Sequence, residues 1–268
     1  VTGFTVLCVL TLAVGLQEAV DWRLIAASGA LAALAALTKP TALVLLAWAG
    51  GWVLVWGVRR RSLPQGLPLL AAAGLLWLAA LAAVYFLLWP AMWADPVDTV
   101  ARMWERSAEL AVEGHEQFFF GHVTDDPGPL FYPVVLLFRT TPAVWVGLVA
   151  LAYRSLRRAA AVKGKGWPIL FVLLFLVVVT LSAKKQDRYL LPVFPLLDVL
   201  AAMGWVEILN GLRLKDAKIG GGQAASVSRL AVGLALLVVV QGGLTLWHHP
   251  YYLTYYNLLA GGPWTAPR

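Results

Sequence analysis

Lys184, Lys185 and Arg188, with Gln186 and Asp187 between them, place three cations and a carboxylate within five residues, directly before Tyr189. Long apolar runs flank this stretch on both sides, and charge held so close to hydrocarbon is costly unless it meets a partner. An arginine offers a planar fork of donors and a lysine a compact point charge, a combination suited to phosphate. The cluster therefore reads as an anion site at the water–lipid border. The alternative is anchoring on lipid headgroups, with long side chains snorkelling to water and Asp187 pairing with a neighbouring cation. Lys39, in Leu37-Thr38-Lys39-Pro40, is a lone cation between two apolar segments. It reads either as an interfacial anchor or as a second contact to the same phosphate.

Other polar groups stand in Gly114-His115-Glu116-Gln117-Phe118-Phe119-Phe120-Gly121-His122 and in Asp125-Asp126-Pro127-Gly128. His115, Glu116, His122, Asp125 and Asp126 have the chemistry of metal ligands or acid–base groups. Their spacing fits no metal-ligand pattern, so a polar loop with no cofactor is expected, a divalent cation being the lesser alternative. Asp198 reads as a buried carboxylate inside an apolar segment, and Gln241 as a weaker case of the same kind. His248, His249 and the tyrosines that follow read as an aromatic belt at the bilayer surface.

The chain that positions these groups is 60% hydrophobic and 13% charged over 268 residues, with a mean hydropathy of +0.76. Soluble domains carry about 25% charged residues, so the composition is that of an integral membrane protein. Hydropathy yields about eight spans, at 1–16, 22–37, 41–58, 67–88, 131–153, 167–182, 189–209 and 230–247. The expected fold class is an all-α membrane protein, a polytopic helical bundle with one large outer loop at 89–130.

If the spans alternate, Arg23, Arg59–Arg61, Arg154, Arg157, Arg158, Lys163, Lys165, Arg213, Lys215, Lys218 and Arg229 share one side. They are most of the 21 basic residues, which makes that side cytoplasmic. Loop 89–130 then faces outward with eight of the 14 carboxylates. Within it, Asp95-Pro96-Val97-Asp98 signals a helix start. Val97, Val100, Ala101, Trp104, Ala108 and Ala111 then form one face of an amphipathic interfacial helix, whose charges are a solvated face.

The net charge of +7 follows from basic loops, and without a continuous basic face nucleic acid is not an expected partner. Cys8 is the single cysteine, which excludes an intrachain disulfide and a cysteine metal cluster. Gly220-Gly221-Gly222-Gln223 reads as a flexible linker. Val1 already lies within an apolar run, so the chain is expected to be the C-terminal part of a longer protein.

An ordered set of short segments carries a family resemblance. Ala35-Ala36-Leu37-Thr38-Lys39-Pro40, Trp89-Pro90, Gly114-His115 with Phe118–Phe120, Phe131-Tyr132-Pro133 and Ser182-Ala183-Lys184-Lys185-Gln186-Asp187-Arg188-Tyr189-Leu190-Leu191-Pro192 occur in that order. Their spacing resembles that of membrane glycosyltransferases of the protein O-mannosyltransferase and aminoarabinose-transferase type. Pro250-Tyr251-Tyr252-Leu253-Thr254-Tyr255-Tyr256-Asn257 and Gly261-Gly262 look like the end of prokaryotic members.

The resemblance implies a GT-C type fold across residues 1–268 in a prokaryotic plasma membrane, with an active site facing outward. It implies transfer of a sugar from a polyprenyl-phosphate donor to an acceptor hydroxyl, a glycosyltransferase activity. Lys39, Lys184, Lys185, Asp187, Arg188 and Tyr189 would hold the donor phosphate, and His115 and Glu116 would shape the cavity. The family's catalytic aspartate has no counterpart here and is expected ahead of Val1. Two readings compete with the transferase: a lipid-phosphate transporter or flippase, and a non-catalytic membrane partner.

Overall fold

Fifteen prolines and 24 glycines punctuate the apolar chain, and they decide where its helices stop. A computed structural model describes residues 1–17, 19–59, 66–112, 116–120, 122–157, 166–182, 184–218, 223–249 and 256–257. The architecture is all-α apart from one small hairpin among these residues. The helices are α1 (Thr2–Gly15), α2 (Trp22–Thr38), α3 (Val44–Arg59), α4 (Gly66–Leu88), α5 (Ala91–Ala94), α6 (Pro96–Val112), α7 (Phe131–Arg139), α8 (Pro142–Arg157), α9 (Gly166–Leu181), α10 (Phe194–Lys218) and α11 (Gln223–Trp247). Strands β1 (Gln117–Phe119) and β2 (His122–Thr124) pair antiparallel. Phe120, at their turn, takes a left-handed φ of 49°.

The eight expected spans are not what the helices deliver. Among the described residues three segments are long and apolar enough to cross a bilayer: Pro40–Val58, Pro68–Leu88 and Phe194–Gly211. A fourth results if α7 and α8, bent by 112° at their junction, count as one. The reason is length. Helix α2 has 17 residues, about 26 Å at 1.5 Å per residue, against a hydrocarbon core of about 30 Å. Helix α9 has 16 residues among those described. The expected span at 131–153 breaks at Thr140-Thr141-Pro142, because a residue before proline is driven out of helical geometry and Pro142 then opens α8. With fewer crossings, the strict alternation that assigned the loops to two sides no longer applies.

The chain divides into two compact units. The first comprises residues 1–132 and 164–196. Its polar centre is Ser28, fully buried on α2. The Ser28 hydroxyl donates to the Cys8 carbonyl at 2.8 Å and accepts from the Trp77 indole N–H at 3.0 Å, tying α1 and α4 to α2. Gly29 lets α4 approach closely, since a Cβ there would overlap the Trp77 carbonyl. Replacing Ser28 with Ala should cost about 1–3 kcal/mol, the penalty for a buried donor left unpaired, read as a lowered thermal midpoint. Trp48 of α3, fully buried, donates to the Trp167 carbonyl at 3.2 Å and meets the edge of Phe171 on α9.

The second unit comprises residues 133–163 and 197–268. Gly147 of α8 and Gly204 of α10 abut so closely that a Cβ on Gly204 would strike the Gly147 carbonyl, a small-residue contact familiar between apolar helices. Gln241 donates to Thr141 at 2.8 Å. Asn257, almost fully buried, donates to the carbonyls of Leu137, Phe138 and Thr140 and so closes the end of α7. Asp198, expected to be buried, is exposed on the surface of α10.

Helix α6 begins where the sequence signals it, with the Asp95 carboxylate accepting the Asp98 N–H at 3.0 Å. Its apolar face is largely uncovered, Val97 being 79% and Trp104 66% exposed. The charged face carries the ion pairs Arg102–Asp98 and Arg106–Glu109.

Candidate functional site

Two extended residues set the geometry, and for the first the local sequence explains why. Pro40 removes helical freedom from Lys39, which ends α2 with φ −159° and ψ 126°. The chain then turns through a 3-10 segment, Pro40–Leu43. Gln186 is likewise extended, at φ −147° and ψ 137°, and opens the 3-10 turn Asp187–Leu190. That turn leaves Arg188 exposed and Tyr189 half-buried, while Leu190 is fully buried.

Lys39 and the 184–189 strip meet although 145 or more residues separate them in sequence. The Lys39 ammonium lies 4.0 Å from the centre of the Tyr189 ring, a cation–π contact. Half-buried, Lys39 has its pKa pushed below the ordinary lysine value, first by loss of solvent and then by repulsion from Arg188. Two cations thus face one region around Tyr189, an arrangement that favours an anion between them. The Arg188 Nε–H donates to the Gln186 Oε1 at 2.7 Å, and its backbone N–H is taken by Asp187.

Lys185 plays a different part. Its side chain is only 7% exposed, and its ammonium donates to the Asp126 carboxylate at 3.1 Å. The same oxygen accepts the Gly128 N–H at 3.0 Å, with Gly128 at a φ of 73°. These contacts hold the Asp126 carboxyl below its usual pKa, the Gly128 N–H contributing most and Lys185 next. The stabilisation is present above the ordinary aspartate pKa and is lost as the pH falls through the depressed one. Asp126→Ala should lower the thermal midpoint more than Lys185→Met does. The first leaves a buried ammonium without its carboxylate, whereas the second replaces it with an apolar chain of similar volume. Thermal scans of the two variants check the order.

The remaining expected site residues fall less centrally. Lys184 is half-buried beside the cluster, and its carbonyl accepts from Ser182. Glu116 and His122 are exposed at the hairpin. His115 lies outside the described residues, as do Lys163, Lys165, the Gly220–Gly222 linker and most of the tail beyond His249. Among the described residues no group of three metal-ligating side chains occurs.

Two participants were not singled out from the sequence. Gln186 is 6% exposed and Tyr132 fully buried, and the Tyr132 hydroxyl accepts the Gln186 backbone N–H at 3.3 Å. An amide set among lysines and an arginine in an otherwise apolar stretch was the available signal for Gln186. Beside Lys39 runs an open groove of about 440 Å³, lined by Pro40, Trp89, Thr99, Met103 and Arg102 among others. No family model, curated protein or solved structure matches the chain.

What the arrangement can do is bounded by its chemistry. It offers two cations, the Asp187 carboxylate on the same turn, a neutral acceptor holding Arg188, an aromatic face and an adjoining apolar groove. Such a set of groups can meet an anion beside an apolar surface.

Proposed function

We propose that this chain binds the phosphate of a polyprenyl-phosphate-linked sugar at Lys39 and Arg188 and serves its transfer to an acceptor hydroxyl outside the membrane. The observation that carries the reading is the convergence of Lys39 on the Tyr189–Arg188 turn. Like charges held close destabilise each other, and a bound phosphate lowers that cost. The groove that starts at Pro40 supplies apolar area for the first part of the isoprenoid. The exposed face of α6 rests on the headgroups beside it.

In the transfer, the acceptor oxygen attacks the anomeric carbon and the bond from that carbon to the phosphate oxygen breaks. Its electron pair stays on the phosphate, and the hydroxyl proton passes to a carboxylate base. Charge grows on the leaving phosphate, so the cations at Lys39 and Arg188 stabilise the transition state more than the ground state. Lys185, engaged by Asp126, supports the strip from beneath, and Lys184 adds to the local potential.

Binding to the full chain in nanodiscs tests the reading, with farnesyl monophosphate as probe and farnesol as control. The phosphate should bind at least about tenfold more tightly than the alcohol, as one charge-assisted contact requires. Equal affinities would remove the anion site and the proposal with it.

A further inference from the structure

A guanidinium on a flexible side chain recognises phosphate well only if its plane is fixed before the ligand arrives. Arg188 is exposed, yet its Nε–H is held at 2.7 Å by the Gln186 side-chain oxygen. Gln186 is itself anchored. Its side chain is buried, its backbone N–H is held by the Tyr132 hydroxyl, and its carbonyl accepts the Tyr189 N–H at 3.0 Å. The acceptor is an amide and not a carboxylate, so it orients the guanidinium without cancelling its charge. The remaining N–H donors of Arg188 are the end-on fork that suits two phosphate oxygens.

We infer that Gln186 is a positioning residue, which fixes Arg188 for an anionic headgroup and preserves the positive charge of the site. Lys185, next in the chain, shows the contrast. Its partner is the carboxylate of Asp126, and that pairing neutralises it. Two cations of one strip, Lys185 and Arg188, are thus divided by the charge of their side-chain partners, one holding the loop and one kept for a ligand. The assignment rests on the proposed phosphate reading and adds to it the residue through which Arg188 acts.

A double-variant cycle tests it, again on the full chain in nanodiscs with farnesyl monophosphate and farnesol. Gln186→Met keeps the length and volume but removes the acceptor. It should weaken phosphate binding about tenfold, the size of one hydrogen bond to a charged group, with farnesol binding and the thermal midpoint unchanged. In an Arg188→Ala background the same change should cost nothing further, because its effect passes through Arg188. A purely structural role predicts the same loss with and without Arg188, and that result would overturn the assignment, as would wild-type affinity in Gln186→Met. Gln186→Glu is the second variant. It retains an acceptor and adds a negative charge, so affinity should fall further and its salt dependence become shallower. Unchanged affinity and salt slope in that variant would also overturn the assignment. If Arg188→Ala alone binds phosphate normally, the proposed function fails; if Arg188→Ala weakens binding and Gln186→Met does not, only the positioning role fails.

Discussion

Changing Lys39 and Arg188 together to Ala should abolish measurable binding of a polyprenyl monophosphate, while the single changes weaken it less. Removing one hydrogen-bonded charge costs about 1.5–3 kcal/mol, or about ten- to a hundredfold in affinity. The pair acts on one anion, so the double variant should lose about a thousandfold, unless one cation compensates when the other is gone. The single changes should differ in their effect on the empty protein. Arg188→Ala leaves the buried Gln186 side-chain oxygen without its donor and should lower the midpoint. Lys39→Ala instead removes a cation that burial and Arg188 disfavour, so that variant should melt no lower than wild type even as binding falls. Isothermal titration with farnesyl monophosphate, beside thermal scans without ligand, reads both quantities. Lost binding together with lost stability in Lys39→Ala would mean that Lys39 holds the fold and not a ligand.

How much of this was legible in the residues differs from element to element. Lys184–Arg188 stood out because charge beside hydrocarbon needs a reason, and Lys39 because Leu37-Thr38 and Pro40 isolate it. That Lys39 reaches Tyr189 was not readable from spacing. It depends on α2 and the 187–190 turn ending side by side within the same unit. The division of labour within the strip was hidden for a similar reason. Asp126 lies 59 positions from Lys185, in a loop whose polar residues suggested metal or acid–base chemistry at least as readily as an ion pair.

The spans failed for a nearer cause. Composition marks 131–153 as continuous hydrocarbon, but Thr140-Thr141-Pro142 breaks it, and the proline was in plain view. Hydropathy also cannot measure helix length. Helix α2 is apolar but ends after 17 residues, at Lys39. By contrast, α6 was readable at both levels, since Asp95 supplies the cap and the apolar residues recur at helical spacing. Local rules were reliable where a single residue enforces them, as at Pro40 and Asp95. They failed where partners come from distant parts of the chain.

Affinity for the phosphate should fall as the pH rises through the depressed pKa of Lys39, by as much as Lys39→Ala costs outright. Burial and then Arg188 hold that pKa below the ordinary 10.5, so the window opens earlier than for a free lysine. The phosphate monoester is fully ionised well below this range, its second pKa being about 6, and arginines keep their charge throughout. The stability of the empty chain moves the other way. A folded-state pKa below the unfolded one means that the charged lysine is disfavoured by the fold. Its contribution to stability is therefore present above the ordinary value and lost as the pH falls through the depressed one. Binding that weakens while the unliganded chain firms up, across one pH interval, is a pairing that a surface lysine would not produce. Lys39→Arg should flatten the binding profile, and Tyr189→Phe, which keeps the ring under the ammonium, should preserve it. A profile unchanged by Lys39→Arg would place the titrating group elsewhere and separate Lys39 from the anion.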